Sequence, residues 1–384
     1  MAHTSEVAFP IEEFQSRLTA ARAGLTRAGL DALVACAPEN LYYLSGYEST
    51  GHFAVQALIV PADGDPVLIT RDLETPNVSA SYVWPHHVVY KDHHEPLAVL
   101  ARQLDGLGLG VKRIGLEKSH RFLTIANLER LQALLPRAHF ANSAGIVESL
   151  RLRKSPRELA LIRQAGTILD QTFQACFEAI RAGRGEHEVA ADVYRALLLA
   201  GSEYVGSPPY VVSGPRSARA HTTWSRRRLQ PGDPLFLELG ACVRRYHAAL
   251  MRPAVVAPVS DKLRRMAEAS REGLEAAIAA LKPGATSGDV DRACRDAVRR
   301  AGWGQCFHHR AGYSMGMGFA SWSEGHILSI REEDPSVIEA GMVFHIVPFL
   351  MIDGEVGISV SETVIVTEAG AEPVGTIPRE IAVR

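Results

Sequence analysis

The 384-residue sequence lacks a long hydrophobic run, a paired-cysteine motif and an excess of charge of either sign. Its apolar runs are far shorter than the roughly 20 residues of a membrane-spanning helix, and its N-terminal stretch is acidic rather than an apolar signal segment. A formal net charge of -2 predicts no nucleic-acid surface. The five cysteines are odd in number and widely spaced, which predicts reduced thiols and a cytoplasmic location. We therefore expect neither a membrane nor a nucleic-acid partner.

Length and composition indicate a globular protein of two domains, with 47% apolar and 22% charged residues. In residues 1–150, amphipathic helical patterns alternate with short β-rich runs, which predicts an α/β domain with a parallel or mixed sheet. A charged segment with a Ser before Pro156 then leads into a long helical pattern. This is a typical helix start, so we place the domain boundary there. Residues 151–384 alternate helices with strands, which predicts an α+β domain of helices on an antiparallel sheet.

The segment from Leu235 to Arg252 carries the most specific chemical pattern in the chain. A short apolar run leads into Glu238, and Gly240 follows, where a turn is predicted. A carboxylate at the end of a core strand is destabilising unless a proton, a partner or a ligand compensates it. Carboxylates at the positions of both Glu238 and Ala249 would form half of a metal site. Only Glu238 is acidic, so this segment serves another purpose or none.

Four segments, in order along nearly the whole chain, carry a family resemblance: PENLYYLSGYES, RLRKSPRELALIRQAG, LELGACVRRYHAALMR and the closing AGMVFHIVP with GISVSETVIVTEAG. They resemble the creatinase, prolidase and aminopeptidase P family. The resemblance implies a catalytic domain with the pita-bread fold, in which helices cover a curved antiparallel sheet. It also implies a homodimer in which the N-terminal domain of one subunit covers the site of the other. Tyr47 and Phe53 are then candidate substrate-contacting lid residues.

The metal-dependent members of that family hold two metal ions with five side chains. The resemblance places these ligand positions at Glu238, Ala249, Tyr313, Val347 and Ser361. Because a divalent metal needs several converging oxygen or imidazole donors, the sequence predicts no metal site, and we expect no cofactor. The segments RAHTTW, RRYHA, RAGYSMGMGF, SWSEG, FHIVP and SVSET are instead similar to the metal-free branch, and within it to the ectoine hydrolase type.

A metal-free C–N hydrolase needs a group that transfers a proton, an acid for the leaving nitrogen and donors for an oxyanion. His221 is the first candidate for proton transfer, because imidazole titrates near neutral pH and the resemblance matches it to the family's active-site histidine. Glu238 is a candidate to orient that imidazole, to bind a cationic nitrogen group or to act as a nucleophile. Glu362 is a further candidate for the same roles, but the sequence does not show which side of its strand it faces. His309 and Tyr313 are candidates to stabilise an intermediate.

The remaining candidates are assigned to substrate binding. Arginines suit bidentate recognition of a substrate carboxylate. Two histidines lie beside the former ligand positions, and an aromatic residue is a candidate pocket wall. These candidates are Arg216, Arg219, Arg310, His247, His345 and Trp322.

The leading prediction is a cytoplasmic, metal-independent hydrolase of a C–N bond in a small carboxylate-bearing compound such as the cyclic amidine ectoine. Three alternatives stay open: a creatinase-like amidinohydrolase or biosynthetic relative, an Xaa-Pro dipeptidase with unusual metal ligands, and a non-catalytic pita-bread domain that binds peptides. Ala249 argues against creatine as substrate, because creatinase keeps a glutamate there. The set of His221, Glu238 and His309 favours an enzyme, because a binding module has no need for proton-transfer groups.

Overall fold

The computed structural model describes residues 6–384, which divide into one compact unit ending at Arg151 and a second beginning at Leu152. The predicted boundary falls one residue earlier. No helix in this part of the chain is both long and apolar enough to cross a membrane.

The N-terminal unit is built on a six-stranded sheet of order β4-β3-β2-β1-β5-β6. Its strands are β1 (Ala32–Ala35), β2 (Ala57–Pro61), β3 (Val67–Arg71), β4 (His86–Tyr90), β5 (Arg113–Leu116) and β6 (His139–Asn142). Its helices are α1 (Ile11–Ala28), α2 (Pro38–Ser45), α3 (Thr75–Ser81), α4 (Pro96–Gly106), α5 (Ile125–Leu134) and α6 (Ile146–Leu152). Strand β1 pairs antiparallel with β2 and parallel with β5, so the sheet is mixed. The predicted α/β unit is confirmed.

The C-terminal unit combines long helices with several antiparallel strands. Its helices are α7 (Pro156–Ala179), α8 (Glu186–Leu199), α9 (Asp261–Ala280) and α10 (Ser287–Arg300). Its strands are β7 (Tyr210–Ser213), β8 (Pro234–Val243), β9 (Tyr246–Met251), β10 (Ala254–Val255), β11 (Gly312–Ser314), β12 (Ser329–Ile330), β13 (Val343–Ile346), β14 (Leu350–Ile352), β15 (Val356–Ile358), β16 (Glu362–Thr367), β17 (Gly370–Pro373) and β18 (Ala382–Val383). Helix α7 begins as predicted, because Ser155 and Glu158 form a capping box around Pro156.

Two five-stranded sheets organise this unit: β18-β10-β8-β7, with β9 on β8, and β12-β11-β13-β16-β17. Strands β9 and β16 meet through Thr363, whose hydroxyl bonds both the N–H and the carbonyl of Ala249. On β8, Leu237 and Leu239 belong to the apolar cluster that contains the buried residues of α7 and α8. Because successive strand residues face opposite sides, Glu238 points away from those helices. The predicted α+β organisation is confirmed.

The prediction of a turn at Gly240 is wrong. Strand β8 continues to Val243, and the chain reverses at Arg244 and Arg245, whose φ angles of 48° and 65° are those of a two-residue hairpin turn. Gly240 serves a different purpose, because a Cβ there would lie 2.6 Å from the indole of Trp322. As a result Glu238 lies in the middle of a strand, directly opposite Met251.

Candidate active site

A cavity of about 230 Å³ opens in the C-terminal unit, beside the inward face of β8. Five predicted site residues line it: His221, Glu238, His309, Arg310 and Tyr313. The rest of its lining is mostly apolar and consists of Ala220, Phe236, Met251, Val347, Phe349 and Met351. The cavity is smaller than the roughly 300–1,000 Å³ of sites for drug-sized ligands. Its size and lining therefore suit a small molecule held by a few polar groups.

Glu238 is the buried acid of this cavity, with only 9% of the residue exposed. Among the described residues, none donates a hydrogen bond to its carboxyl group and no cation lies within hydrogen-bond distance of it. Burial therefore raises the pKa of Glu238 to about 8. The nearest imidazole nitrogen is Nδ1 of His345, at 3.9 Å. Burial, with a smaller contribution from Arg252, lowers the pKa of His345 to about 3. At neutral pH both groups are therefore uncharged, and they do not form an ion pair.

Tyr313 brings a phenol to the cavity from β11, and a chain of polar groups lies behind it. Its oxygen lies 2.9 Å from Nδ1 of His345, and it accepts a hydrogen bond of 3.0 Å from the indole N–H of Trp322. Nε2 of His345 lies 2.6 Å from the Ser361 hydroxyl, which accepts from the Met251 N–H, also at 2.6 Å. Burial and the neighbouring Glu238 raise the pKa of Tyr313. The phenol is therefore protonated at neutral pH.

His221 stands at the exposed edge of the cavity, in the left-handed region with a φ of 57°. Glu186, at the start of α8, holds the loop that carries it. The buried carboxylate accepts bonds from the N–H and hydroxyl of both Ser213 and Ser225, and from Arg216. Burial alone would raise the pKa of Glu186, but the bonds from Ser225 and Ser213 outweigh it and lower the pKa. Both ends of the His221 loop are thus tied to one carboxylate.

His309 and Arg310 bring two further polar side chains to the cavity lining. Nε2 of His309 is buried without a hydrogen-bond partner in the described part of the chain, and burial lowers the pKa of His309 to about 4. The Arg310 guanidinium donates to the Ser329 hydroxyl at 2.7 Å, and its carbon lies 4.9 Å from the centroid of the Tyr313 ring. The cavity therefore contains a neutral imidazole, a protonated phenol and one cation.

Glu362 does not reach the cavity, and its assignment to the site is wrong. Register between β13 and β16 places Glu362 opposite Ile346, on the face away from His345 and Thr363. Its carboxylate lies 2.6 Å from Nη2 of Arg252 and 3.0 Å from Nε of Arg379. Because Arg252 and Glu362 are both almost fully buried, this is a structural ion pair.

Two further predictions of substrate contact are corrected, and a third stays a prediction. Arg216 is bound to Glu186, Ser225 Oγ and the Thr223 carbonyl, so its donors serve the loop. Arg219 is exposed and directly precedes Ala220, which lines the cavity, so its role in substrate binding stays a prediction. His247 is buried away from the cavity, where its Nε2 accepts the N–H of Gly206, and burial lowers its pKa to about 3.

The other candidates divide into supporting residues and residues of the N-terminal unit. Trp322 and His345 lie behind the cavity wall and act on Tyr313 rather than on the cavity space. Tyr47 is 1% exposed and its hydroxyl bonds Thr70, so it has no free face with which to contact a substrate, and its assignment is wrong. Phe53 is 82% exposed, and its role as a lid residue stays a prediction.

Sequence reasoning missed most of the apolar wall and the residue that anchors the His221 loop. Phe236 was recoverable, because it lies two positions before Glu238 on the same strand face. Met251 was not, because its pairing with Glu238 depends on the turn at Arg244, which the sequence led us to place too early. Glu186 reads in the sequence as one more acidic residue in a first helical turn.

The residues present do not fit the two-metal centre of the family. Within residues 6–384, no group of three or more His, Cys, Asp or Glu side chains could hold a metal ion. Of the five positions that the resemblance assigns to metal ligands, Glu238, Tyr313 and Ser361 surround the imidazole of His345, at 3.9, 2.9 and 2.6 Å. The space between these positions is therefore occupied by a side chain of the protein.

Comparison with known proteins gives the family of this chain. Residues 160–368 match the model of metallopeptidase family M24, and residues 17–153 match that of the creatinase/prolidase N-terminal domain. The chain belongs to family M24, with the creatinase-type N-terminal domain. The resemblance drawn from the sequence is confirmed, and with it the pita-bread fold.

Named relatives include hydrolases of different substrates. The chain is 27% identical over 396 residues to the ectoine hydrolase of Halomonas elongata, with 98% of each chain covered. It is 29% identical over 336 residues to an Xaa-Pro dipeptidase of Lactobacillus helveticus, covering 87% of this chain and 89% of that one. Among solved structures, the dipeptidase PepE of Mycobacterium ulcerans aligns with a TM-score of 0.85 and 27% identity, over 98% of this chain and 99% of that one. The similarity thus extends to hydrolases, and it leaves the substrate open.

Proposed function

We propose that this chain is a metal-independent hydrolase that cleaves a C–N bond in a small, carboxylate-bearing nitrogen compound, as ectoine hydrolase does for a cyclic amidine. The observation that carries the proposal is that His221, a protonated Glu238 and the phenol of Tyr313 share one small cavity, while the former metal-ligand positions close around His345. This combination supplies a base, an acid and a hydrogen-bond donor without a metal.

In the proposed reaction, His221 removes a proton from the attacking water, whose oxygen forms a bond to the amidine or amide carbon. Tyr313 donates a hydrogen bond to the substrate as charge develops on it. The C–N bond then breaks, and Glu238 gives its proton to the leaving nitrogen. The proton taken by His221 returns through solvent to the Glu238 carboxylate, so that one water molecule is consumed and both groups are restored.

The environment of each group matches its role. An acid works best when its pKa lies near the working pH, and burial raises the pKa of Glu238 to about 8. His221 is at the exposed edge, where water reaches it. Arg310 is the cation of the cavity lining that is available to a substrate carboxylate, whereas Arg216 is bound to Glu186.

The test is turnover by protein that has been exhaustively chelated and shown by elemental analysis to be free of transition metals. Ectoine and a panel of small amidines, lactams and N-acyl amino acids are the substrates, with products detected by mass spectrometry. We expect turnover to persist and to fall about 10²- to 10⁴-fold in His221→Ala. His187→Ala removes an exposed histidine outside the cavity and is the matched control.

Other outcomes would replace the proposal. Activity that disappears on chelation and returns with manganese or cobalt, with release of an amino acid from Xaa-Pro dipeptides, would make the chain a metallopeptidase. Metal-free turnover of creatine-like guanidines alone would indicate an amidinohydrolase. Saturable peptide binding without any turnover would indicate a binding domain.

A further inference from the structure

The hydrogen bonds behind the cavity wall form a chain whose direction can be worked out. It runs from the Met251 N–H to the Ser361 hydroxyl and then through His345 to the Tyr313 oxygen. The indole N–H of Trp322 donates to the same oxygen. The two N–H groups at the ends are fixed donors, because a backbone amide and an indole nitrogen cannot accept. The protons of Ser361, His345 and Tyr313 must be placed between them.

One direction gives every group in the chain a partner except the O–H of Tyr313, which lines the cavity. Ser361 Oγ accepts from Met251 and donates its own proton to Nε2 of His345. The imidazole then carries its proton on Nδ1 and donates it to the Tyr313 oxygen. That oxygen accepts two bonds, from His345 and Trp322, so its own O–H is left to point elsewhere.

The opposite direction leaves a buried hydroxyl without an acceptor. If Nε2 of His345 carried the proton, it would donate to Ser361 Oγ, which already accepts from Met251. The Ser361 O–H would then have no acceptor, because no other acceptor contacts this hydroxyl in residues 6–384 and the residue is 0% exposed. Such a group loses its bond to water and gains none in exchange, so this direction is disfavoured.

We infer that Ser361, His345 and Trp322 are positioning residues that hold the Tyr313 O–H in the cavity as a committed donor to the substrate. Two donors on the phenol oxygen strengthen the O–H as a donor, since hydrogen bonds in a chain polarise one another. The Arg310 guanidinium over the ring acts in the same sense. The substrate class that fits must place an acceptor, a carbonyl or carboxylate oxygen or an unprotonated amidine nitrogen, against Tyr313. The substrate part of this inference rests on the proposed function, whereas the direction of the chain does not.

The direction is tested by NMR of protein labelled with ¹⁵N-histidine. We expect His345 to show a protonated Nδ1 and an unprotonated Nε2, which is the reverse of the tautomer that free histidine prefers. The signal is assigned by its loss in His345→Gln, and also by its change in Ser361→Ala, which keeps the test open if the first variant fails to fold. Ser361→Thr retains a hydroxyl and should retain the tautomer. A protonated Nε2 in the unaltered protein would overturn the inference.

The catalytic consequence is tested with whichever substrate the enzyme turns over. Ser361→Ala should lower kcat about 10-fold or more and leave KM nearly unchanged, and Ser361→Thr should restore kcat. An unchanged kcat in Ser361→Ala would refute the positioning role. The two proposals fail separately: metal-free turnover with a protonated Nε2 removes only this inference, whereas the expected tautomer in a protein without metal-free turnover removes only the proposed function.

Discussion

Glu186 and Glu238 are two buried carboxyl groups of the C-terminal unit whose pKa values are shifted in opposite directions. Glu186, at the start of α8, is 0% exposed and accepts hydrogen bonds from two serines and an arginine, so its pKa is lowered despite its burial. Glu238, on β8, is 9% exposed and has no such donors, so burial raises its pKa to about 8. The number of donors, and not the depth of burial, separates a structural carboxylate from a candidate acid.

The same difference predicts opposite effects of pH on folding. A lowered pKa means that Glu186 stabilises the fold above the ordinary carboxyl pKa of 4.5, and that this stability is lost as the pH falls through its folded-state pKa. A raised pKa means that the folded state binds more protons than the unfolded state between pH 4.5 and about 8. The contribution of Glu238 to stability therefore falls as the pH rises through that window.

The largest effect is expected at the structural carboxylate. Glu186→Gln should lower the free energy of unfolding by about 3 kcal/mol at pH 7, because it leaves Arg216 and several serine donors poorly paired. The loss should shrink as the pH falls below 4.5, because the unfolded-state carboxyl then binds a proton more readily than the native one. Urea unfolding at pH 7 and pH 3.5 measures it. The control is Asp192→Ala on the same helix, which breaks a more exposed ion pair with Arg184 and should cost much less stability. An equal loss of unfolding free energy at both pH values would show that the charge of Glu186 does not stabilise the fold.

The next effect is at Glu238 and has the opposite sign. Glu238→Gln should stabilise the protein by about 2–4 kcal/mol at pH 9. At this pH the native carboxyl group is ionised although it is buried, which destabilises the folded state. At pH 4, where both side chains are neutral, the two proteins should be nearly equal in stability. Urea midpoints across pH 4 to 9 measure the difference, and activity should be lost in the variant. A difference that does not change with pH would show that Glu238 has an ordinary pKa.

The smallest effect comes from giving Glu238 a donor like those of Glu186. Met251 lies directly opposite Glu238 and lines the cavity, so Met251→Gln brings an amide N–H close to the carboxyl group. The pKa of Glu238 should fall by about one unit, equivalent to about 1.4 kcal/mol, because hydrogen bonds favour the ionised form. The shift is measured as a move of the alkaline limb of the kcat/KM profile to lower pH. Met251→Leu changes the shape without adding a donor and should leave that limb in place.

The sequence predicted the elements that depend on local patterns. The helical pattern after Pro156 predicted the long helix α7, and the Ser155 and Pro156 pattern gave its start. The family motifs brought five of the predicted residues to one cavity, including Glu238 and Tyr313. Glu362 and Arg216 were wrong because each has its partner on a distant segment, Arg252 and Glu186 respectively.

What the sequence determined by itself was the family and the two-domain order, because these follow from residue identity and local pattern. Only the tertiary structure decided which carboxyl groups have hydrogen-bond partners. The donors to Glu186 come from segments that are separate in the sequence, and folding brings no such donor to Glu238. It also decided that His345, a residue without a ligand role in the family pattern, lies among the former ligand positions. Strand register sets which face a side chain takes, and register depends on pairing between strands far apart in the chain.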